Sequence, residues 1–91
     1  MVQEFLDDDT GYLAWTRRHP RGFVLNCARN PGDDYLVLHH ADCYTIGGGP
    51  AHPRSWTTSY QKVCAESEAE LQEWARSRTG SGASRCGACW T

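Results

Sequence analysis

Phe23-Val24-Leu25-Asn26-Cys27-Ala28, then Asn30-Pro31-Gly32-Asp33-Asp34, then Tyr35-Leu36-Val37-Leu38-His39 form the stretch on which the fold depends. In the first segment Phe23, Leu25 and Cys27 alternate with Val24, Asn26 and Ala28, the period of two expected of a strand. The middle segment is strong turn punctuation. The last segment is almost continuously apolar, which predicts a strand covered on both faces and thus the centre of a small antiparallel sheet. Upstream, Asp7, Asp8, Asp9 and Thr10 are N-cap types, and Tyr12, Trp15, Thr16 and His19 follow at helical spacing with Leu13 beside them. A short helix is therefore predicted to end at His19, before Pro20, and Arg21-Gly22 turns the chain into the first strand.

Downstream, Gly47-Gly48-Gly49-Pro50 and His52-Pro53 predict a long irregular loop, and Ser55 to Cys64, rich in aromatic and β-branched residues, predicts a third strand. Ser67-Glu68-Ala69-Glu70 matches a capping box, and Leu71, Trp74 and Ala75 form the buried stripe of a helix that ends before Gly80. Residues 80–85 are small and flexible in composition and deliver Cys86-Gly87-Ala88-Cys89-Trp90. The expected architecture is α+β: a three-stranded, mainly antiparallel sheet with two flanking helices, zinc-stapled, as a single domain over residues 1–91.

Composition sets the bounds. The 91 residues carry 9 Lys+Arg and 11 Asp+Glu, a formal charge of −2, with 40% hydrophobic and 22% charged residues, as in an ordinary globular chain. A chain this short has a thin core and is helped by a staple. No apolar run approaches the roughly 20 residues of a membrane span. The five cysteines, an odd number, cannot all pair, and the first nine residues contain four acids and neither a basic nor an apolar leader region. Both features predict a reducing, cytoplasmic setting, where Cys-x-x-Cys holds metal or does redox work rather than forming a permanent bridge.

Cys86-x2-Cys89 is half of a common structural zinc arrangement, two thiolates on a tight turn reaching one ion at about 2.3 Å. His39-x3-Cys43, or less conventionally His40-x2-Cys43, lies where the chain leaves the sheet and supplies the other half. Strand alternation groups His39 with Tyr35 and Val37 and turns His40 the other way with Leu36 and Leu38, favouring His39. Cys64 rivals it for the fourth position, because an all-cysteine site is equally ordinary. Cys27 is read as a buried free cysteine. A closed site of four protein ligands is structural rather than catalytic.

Gly22-Phe23-Val24-Leu25-Asn26, Tyr35-Leu36-Val37-Leu38-His39 leading to Cys43, Lys62-Val63-Cys64 and Cys86-Gly87-Ala88-Cys89 together resemble a small zinc-binding module of bacterial proteins. The resemblance covers nearly the whole chain. Zinc ribbons and knuckles are similar in ligand type, but here the first pair is His-x3-Cys rather than Cys-x-x-Cys.

Charge is uneven: residues 10–62 carry six bases and three acids. Arg17, Arg18, Arg21, Arg29, Arg54 and Lys62 are interleaved with Trp15, Trp56 and Tyr60, a combination suited to phosphates and bases. The expected function is non-catalytic nucleic-acid binding through Arg54, Trp56, Tyr60 and Lys62, although the pI near 6.0 is well below that of a dedicated nucleic-acid domain. The alternative is a protein-interaction adaptor anchored by exposed aromatics such as Trp90. Catalysis is not expected, since pairing Cys27 or Cys43 with a histidine leaves no orienting third group. Gly47-Gly48-Gly49-Pro50 lacks the Lys-Ser/Thr of a P-loop.

Overall fold

The computed structural model describes residues 2–30, 32, 35–43, 57, 60–87, 89 and 90. In chain order the elements are β1 (Gln3–Phe5), α1 (Asp9–Arg18), β2 (Phe23–Ala28), β3 (Leu36–His40), β4 (Tyr60–Ala65), α2 (Glu68–Thr79) and β5 (Ser84–Arg85). The class is α+β with two helices, as expected, but the sheet has five strands rather than three. Its order is β1-β4-β2-β3-β5. All pairings are antiparallel except β3 with β5, which is parallel. The central strand is β2, flanked by β3 and β4, so the apolar segment read as the sheet's centre lies one place off it. Its two apolar faces arise because both sides of the sheet are covered by other elements.

Register divides the side chains between those sides. Val24 stands opposite Cys64 on one neighbour and His39 on the other, and Leu25 stands opposite Val63 and Leu38. The Val24 row packs with Phe5, Tyr12 and Trp15 and so faces α1. The Leu25 row packs with Leu71, Trp74 and Ala75 and so faces α2. Burying each of these larger side chains contributes about 1.5–3 kcal/mol.

Local signals fix both helices. The Asp8 carboxylate accepts from the Gly11 amide at 2.9 Å and caps α1, which ends at Arg18 with His19 as its C-cap. Ser67 Oγ accepts from the Glu70 amide, and the Glu70 carboxylate accepts in return from the Ser67 hydroxyl and from the Ser67 backbone amide, completing the capping box. At the far end of α2, Gly80 takes the left-handed conformation, φ 84°, that glycine adopts without steric cost. Thr57, fully buried, ties the approach to β4 onto the start of α1: its hydroxyl donates to Asp9 at 2.6 Å and accepts from the Asp8 amide at 2.7 Å. The expected third strand is present as β4, beginning at Tyr60. Ser55, Trp56, Thr58 and Ser59, and the loop expected over Gly47–Pro53, lie outside the described residues. No helix among the described residues is long and apolar enough to cross a membrane.

Candidate metal centre

His39 projects from β3 on the α1 side of the sheet, in the row of Val24. Four residues on, the Cys43 amide donates to the His40 carbonyl at 3.0 Å, and the Ala41 amide donates to Gly22 O at 2.9 Å. These bonds fold the chain back under the strand end. From the other direction β5 runs along β3, and the Cys86 amide donates to Leu38 O at 2.8 Å, placing Cys86 beside His39. The Trp90 amide donates to Cys86 O at 3.1 Å, closing a single turn that swings Cys89 inward.

One ligand atom from each of His39, Cys43, Cys86 and Cys89 lies within 4.8 Å of all the others. His39 and Cys43 are buried, while Cys86 and Cys89 are partly exposed. The His40 amide also donates to Cys89 Sγ at 3.4 Å, a bond that strengthens as the sulfur gains charge. Burial, aided by the Lys62 charge, lowers the His39 pKa to about 4, which keeps the imidazole neutral, the form in which it can ligate a metal. Burial pushes the Cys89 thiol up to about 12, with the neighbouring Cys43 and Cys86 opposing its ionisation further. Thiolates gathered this closely repel one another, and a bound cation would balance their charge. The donor set therefore suits a dication with affinity for nitrogen and sulfur.

The structure brings His39 rather than Cys64 into the group of four. Cys64 occupies the same row, but Val24 on the intervening strand separates it from His39. Strands are about 4.8 Å apart, so the two Cα positions lie about two spacings from each other. Cys64 is fully buried in the α1-side core, its thiol pushed well above the ordinary range by desolvation. His40 points the other way, as alternation requires, and stacks on Trp90 with ring centroids 4.1 Å apart. Phe23 packs 6.0 Å from Trp90, and the Arg85 guanidinium sits over the indole at 5.4 Å. Trp90 therefore clasps its own chain beside the centre. Cys27 is a fully buried thiol on the α2 side, raised to about 11 by desolvation.

Of the residues expected to contact nucleic acid, Arg54 and Trp56 lie outside the described residues. Tyr60 is 44% exposed and packs against Tyr35, with ring centroids 5.2 Å apart. Lys62, expected at the surface, is instead 5% exposed, and its ammonium donates to the Asn26 carboxamide at 2.8 Å. Its strand is interior to a sheet covered on both sides, so alternation cannot carry its side chain to solvent. The parallel β5 pairing that delivers Cys86 was missed by sequence reasoning, because two residues carry no periodic signal.

The fold and the donor set define a class: a small α+β domain with a candidate one-histidine, three-cysteine metal centre joining its C-terminal tail to its sheet. Comparison with protein-family models, curated proteins and solved structures finds no match to the chain.

Proposed function

We propose that this chain is a non-catalytic, zinc-stapled binding module whose ligand is nucleic acid. The single observation that carries the zinc reading is the approach of four donor atoms, from two segments far apart in sequence, to within 4.8 Å of one another. One imidazole and three thiolates are an ordinary tetrahedral zinc set, and four protein ligands leave no position for water or substrate. The ion would therefore stabilise the fold, not act on a substrate.

Nucleic acid is favoured by the net positive charge of residues 10–62 and by the exposed Tyr35–Tyr60 pair, since aromatic faces stack on bases. Arg54 and Trp56 remain part of the proposed surface with Tyr60, and the buried Lys62 drops out of it. A protein-adaptor role has less support, because Trp90, its expected anchor, is packed on His40 and Phe23.

Elemental analysis of the purified chain is expected to return one zinc per chain, and a chelator is expected to lower the melting temperature markedly. Metal-free protein that melts at the same temperature with and without chelator would refute the staple. Binding to a labelled oligonucleotide should weaken steeply as salt rises, because charge neutralisation releases counterions. Salt-insensitive binding to a protein partner, with no oligonucleotide binding, would transfer the function to the adaptor class.

A further inference from the structure

Between the end of α1 and the start of β2 the chain encloses an open pocket of about 280 Å³, lined by Arg18, His19, Pro20, Arg21, Gly22 and Glu66. It shares no residue with the metal donor set. Its wall is firmly built. The His19 amide donates to Trp15 O at 3.0 Å, and the Gly22 amide donates to His19 O at 2.9 Å. The His19 ring stacks on Trp15 at 4.4 Å and its Nδ1 lies 3.0 Å from Trp15 O. A carbonyl only accepts, so Nδ1 carries the hydrogen of this bond, which fixes the ring in the pocket wall. Gly22 permits the close approach, since a Cβ there would lie 2.6 Å from Trp15 Cη2 and 3.2 Å from Ala65 O.

Among the described residues, the arginines of this pocket form no ion pair. Arginine side chains of the described residues form ion pairs at Arg29–Asp7, Arg78–Glu4 and Arg85–Glu68, and neither Arg18 nor Arg21 is among them. Arg18, with Arg17, stands in the last turn of α1 and offsets its carbonyl end. Arg21 lies beyond the helix and has no such duty. Arg18 at the helix end and Arg21 on the following turn are both exposed and both line the pocket, and guanidinium forks grip phosphate oxygens in pairs. The volume is more than one phosphate group needs and admits part of the attached sugar.

We infer that this pocket holds a backbone phosphate of the bound nucleic acid, clamped by Arg18 and Arg21. The assignment rests on the nucleic-acid reading above and names where its phosphate contact is made. Glu66, the acid of the lining, repels such a ligand, so removing its charge should tighten binding.

The test is fluorescence anisotropy of the full-length, metal-loaded chain with labelled single-stranded DNA and RNA of about 12 nucleotides, over a range of salt. Arg18→Ala with Arg21→Ala is expected to weaken binding about tenfold and to flatten the log–log salt dependence by about 1 to 2. Arg18→Lys with Arg21→Lys keeps the charge without the fork and is expected to lose less. Glu66→Gln is expected to bind at least about twofold tighter, the direction that relief of like-charge repulsion requires. Wild-type melting temperatures in these variants show that the fold is intact. Unchanged binding in the double alanine variant overturns the pocket while leaving nucleic-acid binding in place. Weaker binding by Glu66→Gln overturns the phosphate assignment, since a ligand that donates hydrogen bonds would then be indicated. A nucleoside monophosphate that binds as tightly as the oligonucleotide reassigns the pocket to a free nucleotide. No binding by the wild type defeats the inference and the reading beneath it together.

Discussion

His39 and Cys64 stand in one row of the sheet with Val24 between them, and that single strand of separation decides which can join the candidate donor set. His39→Ala is expected to lose the metal, and Cys64→Ala to retain one ion per chain, both read by elemental analysis. Metal loss from Cys64→Ala with its fold intact would reverse the assignment. Lys62 gives a second test at this scale. Desolvation lowers its pKa from 10.5 to about 8, so between those values the unfolded chain holds a proton that the folded chain has released. The Lys62 contribution to stability therefore rises with pH across that window, and below it the full cost of the buried charge is present. Cys27 acts oppositely: its thiol is raised from 9.0 to about 11, so its contribution is complete below pH 9.0 and is lost as pH climbs through 11. Lys62→Met should abolish the rise and leave the fall, as measured by urea unfolding at stepped pH. An undiminished rise in that variant would mean that Lys62 is not its source.

At the level of elements, the two helices were legible because their signals are local. Asp8, Ser67-Glu68-Ala69-Glu70 and Gly80 act within a turn or so of their own positions, and the structure uses them as caps. Ser67→Ala is expected to cost about 1 kcal/mol through loss of its bond to the Glu70 amide. Leu71→Ala, which empties a fully buried site against β4 and β2, is expected to cost about 2–5 kcal/mol. Gly22→Ala forces the Trp15 ring to move and should cost about 1–3 kcal/mol. Thermal or urea melts read all three, and a Gly22→Ala variant as stable as wild type would show the α1–β2 turn to be looser than described. The edge strands were not legible. Gln3–Phe5 and Ser84–Arg85 are too short for a periodic pattern, and each pairs with a strand more than forty residues away.

For the whole molecule, an ion held by the candidate donor set would tie residues 39–43 to residues 86–89 and so close most of the second half of the chain into one loop. Such closure stabilises mainly by restricting the unfolded chain, and ion binding becomes folding free energy. Cys86→Ser with Cys89→Ser is therefore expected to melt where chelated wild type melts, and chelator should not lower the variant further. A second decrement would place a stabilising ion elsewhere. Burial pushes the Cys89 thiol up to about 12, so loading of a metal would release its proton at neutral pH, and metal affinity should fall as pH is lowered. A pH-independent affinity would contradict thiolate ligation.

The sequence by itself determined the α+β class, both helices, the three longer strands and the candidate donors Cys43, Cys86 and Cys89, with His39 and Cys64 as rivals for the fourth place. Alternation, capping and ligand spacing are short-range properties written into neighbouring residues. Tertiary structure alone decided that β2 is central, that two short edge strands complete the sheet, that Cys64 stays out of the donor set, and that Lys62 lies inside while Arg18 and Arg21 flank a pocket. Those outcomes depend on which strands lie side by side and which faces the helices cover, and pairing between distant segments leaves no trace in local composition.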